Sequence, residues 1–174
     1  MFYNLSGVEL VVSNFLLMIL WDILIFILSV KIDISYFDPS KPLYREKKWE
    51  KSGKLYVNVL KIKKWKDFLP QYIGKNGFSK KHLKDLKDLS KSYIEQFIFE
   101  TCRAEWNHFM CCLFSVVSLF VNTFLNGVIF SVFPILINFP FIIIQRYNRI
   151  RLKKLLKRSG GLKEGCMNYN PANA

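Results

Sequence analysis

Apolar and basic residues occupy separate segments of the chain. The first 30 residues contain no lysine or arginine, and neither does the segment 104–145. All 26 basic residues lie elsewhere, 18 of them in 31–103 and 8 in 146–163. A soluble domain mixes the two classes, whereas long apolar segments flanked by lysine and arginine are typical of membrane spans with positively charged loops. The pattern predicts a mainly α integral membrane protein.

The first apolar segment, 8–30, has the length of a membrane-crossing helix. Its 23 residues rise about 1.5 Å each, enough to cross a hydrocarbon core of about 30 Å. No basic region precedes it and no small-x-small cleavage site closes it, which favours an uncleaved transmembrane helix over a signal peptide. Asp22 lies two-thirds of the way along it, as either a functional group or a hydrogen-bonding partner within the helix bundle.

The second apolar segment, 109–144, is predicted to fold back on itself. Asn126-Gly127, a strong turn dipeptide, lies at its middle and leaves two arms of about 17 residues. Pro134 and Pro140 should kink the second arm. We therefore expect an apolar helical hairpin that either crosses the membrane or dips in and returns.

A hairpin of either kind returns the chain to the side it left, so the basic middle section and the basic tail share one face. The positive-inside rule assigns that face to the cytoplasmic side of the cell membrane. Tryptophan and tyrosine in the middle section suit the lipid headgroup zone, and its lysines should attract anionic lipids. The same composition also occurs in nucleic-acid-binding proteins. Because this segment is held at the membrane between two spans, no nucleic-acid partner is expected.

The chain is thus predicted to be one membrane domain, 1–174, with a transmembrane helix at 8–30, a basic interfacial section at 31–91, an amphipathic helix at 92–108, the apolar hairpin at 109–144 and a basic tail at 145–174.

The four cysteines and two histidines do not have the spacing of metal ligands. Cys111 and Cys112 are adjacent within the apolar segment, Cys102 precedes it and Cys166 is in the tail. Because no Cys-x-x-Cys pair occurs, neither a disulfide framework nor a metal site is expected. Cys111 and Cys112 are better explained as small buried hydrophobic residues, with acylated thiols as the alternative.

The amphipathic helix carries a cluster of polar residues where it enters the membrane. At 100° per residue, an arc of about 140° contains Glu100, Arg103, Asn107 and His108. Glu105 lies three residues before His108 and can reach it. One interpretation is a solvated face with an ion pair between Glu100 and Arg103. The other is that His108 is a general base supported by Glu105 or Glu100, since charged groups at a membrane boundary are costly unless they are used.

A second polar cluster follows the hairpin and consists of Gln145, Arg146, Tyr147, Asn148 and Arg149, with Arg151 after it. Positive-inside anchoring would by itself explain the arginines. The functional alternative is a pocket that clamps a phosphate, a carboxylate or a sugar. Arginine forks bind planar anions, and tyrosine and asparagine supply further donors.

Both clusters resemble motifs of one family. The first reads Glu100-Thr-Cys-Arg103-Ala104-Glu105-x-x-His108, and the second reads Asn138-Phe-Pro140-x-Ile-Ile-Ile-Gln145-Arg146-Tyr147-Asn148-Arg149-x-Arg151-Leu152. Upstream, Glu50-Lys-x-Gly53-Lys54 and Lys64-Trp65-Lys66 also match. Over 36–156 the chain is similar to the glycosyl-4,4'-diaponeurosporenoate acyltransferase family. These small bacterial membrane enzymes complete the carotenoid staphyloxanthin by esterifying a glucosyl group with a fatty acyl chain.

The resemblance implies acyl transfer to a hydroxyl of a glycosylated lipid or carotenoid. The acyl donor, an acyl thioester or a lipid, would be a co-substrate, and no cofactor is implied. A neighbouring glycosyltransferase is a candidate partner. On the upstream match, Trp65 and Lys66 join the substrate-binding candidates. The N-terminal span matches the family only in character, and the tail after Arg158 does not match.

The chain lacks the His-x4-Asp motif of glycerolipid acyltransferases and the Gly-x-Ser-x-Gly elbow of serine hydrolases. We therefore predict direct attack, in which His108 deprotonates the acceptor hydroxyl and Glu105 or Glu100 supports it. Donor phosphate binding or oxyanion stabilisation would fall to Arg103 or to the pair Arg146 and Arg149. The further substrate-binding candidates are Asn107, Gln145, Tyr147 and Asn148. The alternative is a non-enzymatic membrane protein that binds anionic lipid through its lysines or scaffolds a membrane enzyme.

Overall fold

The computed structural model describes residues 4–5, 7–69 and 91–158. Within these ranges the chain consists of helices and connecting turns, and no strand occurs. Residues 70–90 of the predicted basic interfacial section lie outside the described ranges, as do residues 159–174 of the predicted basic tail.

The described residues form eight helical elements, two of which are 3-10 helices. In order they are α1 (Gly7–Lys31), two 3-10 helices (Ile34–Phe37 and Lys48–Gly53), α2 (Lys54–Asn58), α3 (Ile62–Trp65), α4 (Lys91–Cys112), α5 (Phe114–Val121) and α6 (Phe124–Arg158). Three helical stretches are long and apolar enough to cross a membrane, namely Gly7–Lys31, Lys91–Val121 and Phe124–Arg158. The prediction of a mainly α membrane protein is therefore confirmed.

The described residues form two compact units. The first, which we call the span unit, contains those within Met1–Asp33 and Arg103–Ile143. The second, which we call the basic unit, contains those within Ile34–Cys102 and Ile144–Ala174. The helices α4 and α6 each contribute residues to both units.

The span unit exposes aliphatic side chains and buries a pair of amides. Leu16, Leu20 and Leu24 of α1 are each roughly half exposed, a surface that suits hydrocarbon rather than water. In the interior, Asn14 Nδ2 donates to Asn122 Oδ1 at 3.0 Å and Asn122 Nδ2 donates to Asn14 Oδ1 at 2.8 Å. This reciprocal pair of hydrogen bonds joins α1 to the end of α5. It also satisfies amide groups that would have no hydrogen-bonding partner in lipid.

The predicted hairpin is formed by α4 and α5 on one side and α6 on the other. Its two sides are joined by Ser115 Oγ donating to Ser131 O at 2.8 Å, Cys112 Sγ to Pro134 O at 3.8 Å, and a His108 Nδ1–Asn138 Oδ1 hydrogen bond of 2.9 Å. From the first to the third of these hydrogen bonds, the partner on α4 or α5 lies progressively earlier in the sequence and the partner on α6 progressively later. The two sides therefore run antiparallel.

The turn of this hairpin is not at Asn126-Gly127, and the predicted position was wrong. Helix α5 ends at Val121, Asn122 is extended with φ −113° and ψ 169°, and α6 begins at Phe124. The turn falls at Asn122 because its amide is bound to a partner 108 residues away, which the local sequence does not reveal.

Gly127 has a different role from the one predicted. It lies inside α6, where an added Cβ would come within 3.0 Å of Leu119 Cα and 3.1 Å of Ser118 O on α5. Contacts this short are tighter than nine in ten real Cβ contacts, so the backbone of α5 would have to move by a few tenths of an ångström. The glycine therefore permits the two helices to approach closely.

The basic unit has a small apolar core between α4 and α6. Ile94 and Ile98 pack with Leu152 and Leu156, and Phe97 packs against this cluster. Each pair is spaced by four residues, so its members lie on one face of their helix. The core holds together the parts of the two helices that belong to this unit.

The turn that precedes α2 has a left-handed backbone. Lys51, Ser52 and Gly53 have φ values of 48°, 54° and 83°. Glycine adopts this region readily, whereas each other residue stores strain of about 1–3 kcal/mol there. Contacts from the rest of the unit must therefore hold the turn in place.

Candidate active site

The predicted site residues belong to both units. The span unit contains Arg103, Glu105, Asn107 and His108. The basic unit contains Trp65, Lys66, Glu100, Gln145, Arg146, Tyr147, Asn148 and Arg149. Each unit thus has a polar centre of its own.

The span-unit part of the first cluster is not a solvated face. Glu105 is buried, and Arg103, Asn107 and His108 are half-buried. The Oδ1 atom of Asn107 is buried and receives no hydrogen bond from the described residues. A buried carbonyl oxygen in that state is costly, and it can accept a hydrogen bond from a ligand.

His108 is held in one tautomer by its surroundings. Its Nδ1 lies 2.9 Å from Asn138 Oδ1, and Asn138 Nδ2 donates to Pro134 O at 3.0 Å. Because the Pro134 carbonyl can only accept, the amide oxygen of Asn138 must face His108. The Nδ1 atom therefore carries the proton, and Nε2 carries the lone pair of the neutral imidazole. Phe141 stacks on the ring, with centroids 4.8 Å apart and planes 12° apart, which fixes its orientation.

Asp22 of α1 lies close to the same centre. Its carboxylate interacts with the Cys111 thiol, and its charge acts on His108. Its Oδ1 is buried without a hydrogen bond from the described residues. The neighbouring Trp21 anchors α1 here, because its Nε1 donates to Met110 O at 3.0 Å. Support of His108 by Glu105 or Glu100 stays a prediction, and Asp22 is a further acidic residue near His108.

Three residues of this centre received little or no weight in the sequence analysis. Asn138 belongs to the second motif but was not expected to contact His108, and Phe141 was not considered. Asp22 was weighed without a partner. Of the three, only Asp22 stands out in the sequence, because it is an acidic residue inside a predicted membrane span. The other two contacts depend on the register of the hairpin.

The basic unit is organised around a buried ion pair between Glu50 and Arg146. Glu50 is fully buried, and Arg146 forms two parallel hydrogen bonds to it, Nε to Oε1 at 2.9 Å and Nη2 to Oε2 at 3.0 Å. Tyr56 OH also donates to Glu50 Oε1. Arg146 further donates to Leu43 O at 3.0 Å and to Arg45 O at 3.3 Å. A substrate-binding role for Arg146 stays a prediction, and its bonds within the protein favour a positioning role.

The pKa values of this group follow from these contacts. Burial alone would raise the pKa of Glu50, but hydrogen bonds from Arg146, Tyr56 and the Lys47 N–H outweigh it and hold the pKa below its ordinary value. Burial, together with the adjacent Glu50 carboxylate, raises the pKa of Tyr56. Glu50 is therefore an anion and Tyr56 a neutral donor at neutral pH.

Tyr147 and Arg149 are buried in the same unit. Arg149 Nε donates to Tyr44 O at 3.1 Å, and its guanidinium lies 5.6 Å from the centroid of the Tyr44 ring. Tyr147 meets the Tyr56 ring edge to face. Two cations also contact the Tyr147 ring, since Lys66 Nζ is 5.6 Å and Arg151 Cζ is 5.7 Å from its centroid.

Beside Tyr147 is an open cleft of about 580 Å³, which we call the basic cleft. Among the described residues, the lining of this cleft has one acidic side chain, Asp67, and five basic side chains, those of Lys54, Lys63, Lys66, Arg151 and Lys154. The volume is within the range of small-molecule sites.

The remaining candidates of the basic unit are placed as follows. Trp65 is half-buried, and its Nε1 donates to Leu60 O at 2.8 Å, which closes the turn between α2 and α3. Gln145, Asn148 and Glu100 are half-buried. Of the predicted residues, Lys66 and Tyr147 line the basic cleft. Arg151 of the second cluster and Lys54 of the upstream match also line it, together with Lys63 and Lys154, which nothing in the local sequence distinguishes from other lysines.

Comparison with known proteins places this arrangement in a family. A family model described as glycosyl-4,4'-diaponeurosporenoate acyltransferase matches residues 40–158, which contain both motifs. Two relatives of that name, from Staphylococcus aureus strains N315 and USA300, are 30% identical over 132 residues, which is 75% of this chain and 78% of each relative. No solved structure matches. The expected resemblance is confirmed: the chain belongs to the glycosyl-4,4'-diaponeurosporenoate acyltransferase family and is an acyltransferase.

Proposed function

We propose that this enzyme esterifies a hydroxyl of a glycosylated lipid or carotenoid with a fatty acyl group, using His108 Nε2 as the general base. The observation that carries the proposal is the hydrogen-bond chain from His108 through Asn138 to Pro134 O. That chain leaves the lone pair on Nε2, as proton abstraction requires. The names of the relatives support a glycosylated carotenoid as the acceptor.

The proposed reaction is a direct transfer. The acceptor oxygen attacks the acyl carbonyl carbon of the donor, which is an acyl thioester or a lipid ester. The new ester C–O bond forms as the C–S bond of the thioester, or the C–O bond of the lipid ester, breaks. The hydroxyl proton passes to His108 Nε2 and from there to the departing thiolate or alkoxide. The acyl donor is a co-substrate, and the reaction uses no redox step or cofactor.

The neighbours of His108 have distinct roles in this mechanism. The Asp22 carboxylate is proposed to stabilise the imidazolium that forms during attack. Glu105 or Glu100 is the further carboxylate that supports it. Arg103 stabilises the oxyanion and Asn107 binds the acceptor, since both lie within five residues of His108 on α4.

The second polar cluster has a role in substrate binding, and the basic interfacial section has a role in substrate binding and in the orientation of the enzyme in the membrane. We propose that Gln145, Asn148 and Arg149 bind substrate polar groups, with Trp65 and Lys66 from the basic section. The enzyme is placed in the cell membrane with its basic loop and tail on the cytoplasmic face, which the charge distribution supports. A neighbouring glycosyltransferase, which would supply a glycosylated acceptor, is the expected protein partner.

The test is lipid analysis of host cells that make a glycosylated carotenoid acceptor. Cells with the wild-type enzyme should accumulate an acylated product that cells without it lack. His108→Gln should reduce that product by about 100-fold or more, the usual contribution of a general base. Phe109→Leu, a change at the adjacent exposed apolar position, is the control and should leave the product unchanged.

Full product formation by His108→Gln at an equal membrane level would contradict the proposed mechanism. A wild-type strain without any new ester would contradict the proposed acceptor. The same lipid analysis identifies the acyl chain and the glycosylated headgroup.

A further inference from the structure

We propose that the basic cleft binds the phosphate-bearing head of the acyl donor. The donor's identity rests on the proposed acyl transfer, whereas the anion site itself rests on the basic unit alone. Neither the family name nor the relatives' names assign a donor or a donor site.

The first support is the charge of the cleft. Five basic side chains and one acidic side chain line a single concave space. Like charges gathered in this way repel one another, and a multivalent anion relieves that repulsion when it binds. The other acid nearby in sequence, Glu50, is buried and paired with Arg146, so its charge is already neutralised within the protein.

The second support is that two of the cations are positioned in advance. Lys66 is only 8% exposed, although lysine is rarely buried. Its ammonium and the Arg151 guanidinium both lie over the Tyr147 ring, which is itself buried. A cation held over an aromatic ring loses less side-chain freedom when a ligand binds. Tyr147 is therefore a positioning residue of the cleft.

The third support is the left-handed turn at the rim. Lys154 Nζ donates to Ser52 O at 2.6 Å, so a base of the cleft holds the residue whose φ is 54°. Ser52 and the adjacent Gly53 both line the cleft. Strained backbone persists where surrounding contacts fix it, and such places are often binding sites. The cleft wall is thus a built feature of the unit.

Phosphate is the ligand chemistry that fits best. Ammonium and guanidinium groups bind phosphate oxygens through charge-assisted hydrogen bonds. A neutral sugar would leave the excess of basic over acidic side chains in the described lining unchanged. Two donors carry such a group: a thioester of a nucleotide coenzyme, which has several phosphates, and a phospholipid, which has one in its headgroup. The proposal covers the shared phosphate group, and the experiment separates the two sources.

The experiment measures binding to the full-length protein in nanodiscs. One arm titrates palmitoyl-coenzyme A into nanodiscs of phosphatidylcholine only. The other arm measures retention of phosphatidylglycerol by native mass spectrometry. The test variant is Lys63→Gln with Arg151→Gln, and the matched control is Lys48→Gln with Arg158→Gln. All four positions are exposed, and each variant loses the same charge.

We expect the cleft variant to weaken binding in one arm by about 10- to 30-fold, from the contribution of two basic side chains near an anionic group. The control should change binding less than about twofold, since its residues do not line the cleft. A loss in the first arm identifies the coenzyme thioester as the source, and a loss in the second identifies the phospholipid. Equal binding by the cleft variant and its control in both arms would overturn the proposal.

Substitutions at Tyr147 test positioning apart from charge. Tyr147→Phe keeps the ring and should bind as the wild type does. Tyr147→Leu removes the ring and should weaken binding severalfold, with equal helical content by circular dichroism. If both substitutions have the same effect, Tyr147 does not position the cations and this part of the inference is wrong.

Failure of the cleft inference and failure of the proposed function would give different experimental results. His108→Gln should bind the donor normally and form no ester. If the cleft variant binds normally while His108→Gln is inactive, the cleft inference fails and the proposed function stands. If binding depends on the cleft but no acylated product forms in any strain, the proposed function fails and the anion site stands.

Discussion

The span unit and the basic unit both bury polar side chains, but of different kinds. In the span unit two hydrogen-bonded contacts join neutral side chains, Asn14 with Asn122 and Asn138 with His108, although the acids Asp22 and Glu105 also lie in this unit. In the basic unit the central contact is the charged pair of Glu50 and Arg146. A charge inside a bilayer is costly, whereas neutral amides can satisfy each other there.

The difference bears on which chemistry each unit can perform. A neutral imidazole with a fixed lone pair suits proton abstraction, and the span unit holds such a group in His108. A cleft of paired and positioned cations suits anion binding, and the basic unit holds that. Under the proposed mechanism, the chemical step and the recognition of charge therefore belong to different surroundings, each of which stabilises the required groups.

Of the substitutions that test this contrast, Glu50→Gln is expected to have the largest effect on the free energy of unfolding. The substitution removes the carboxylate and leaves the Arg146 guanidinium without its counter-charge in a mostly buried site. Breaking a buried ion pair in this way costs about 3–5 kcal/mol. Thermal unfolding in detergent should show a marked loss. The control is Glu46→Gln, an exposed position, where a change within about 0.5 kcal/mol is expected.

The same pair predicts a pH dependence. The folded-state pKa of Glu50 is below its ordinary value of 4.5, so the pair contributes its full stability above that pH. The contribution is lost as the pH falls through the folded-state pKa. The wild type should therefore lose stability in acid more steeply than Glu50→Gln. Parallel pH profiles for the two proteins would show that Glu50 is not the group responsible.

A smaller effect is expected from Gly127→Ala in the span unit. The new methyl group would meet Leu119 Cα and Ser118 O at 3.0 and 3.1 Å, so α5 and α6 must move apart. Overpacking of this kind costs about 1–3 kcal/mol. Ile129→Ala, at an exposed position two residues later, should cost less. If Gly127→Ala unfolds at the wild-type temperature, the two helices do not approach as closely as described.

The smallest effect is expected from the amide pair. Either Asn14→Leu or Asn122→Leu leaves one amide without its partner, whereas the double substitution removes both. Side-chain hydrogen bonds between membrane helices contribute about 0.6 kcal/mol on average and up to about 1.7. A double-mutant cycle by thermal unfolding should give a coupling of that size. A coupling of zero would mean that the pair does not hold α1 to α5.

The sequence was sufficient for the features that depend on long, local patterns. The apolar segments 8–30 and 109–144 predicted membrane-crossing helices and a hairpin, because burying backbone polar groups in lipid leaves few alternatives to a helix. The motifs around His108 and Arg146 were enough for the family, since their residue types and spacing are specific. Each of these properties is set by neighbouring residues or by residue order.

The tertiary structure alone decided the contacts between residues distant in sequence. Asn14 placed the turn at Asn122 rather than at Gly127, and Asn138 fixed the tautomer of His108 from 30 residues away. The basic cleft assembles four lysines and one arginine from α2, from α3 and the residue that follows it, and from α6. Such contacts depend on the register between helices, and register is set by side-chain packing across helices that are far apart in sequence. For that reason His108 could be named as a candidate from the sequence, but the atoms that fix its tautomer could not.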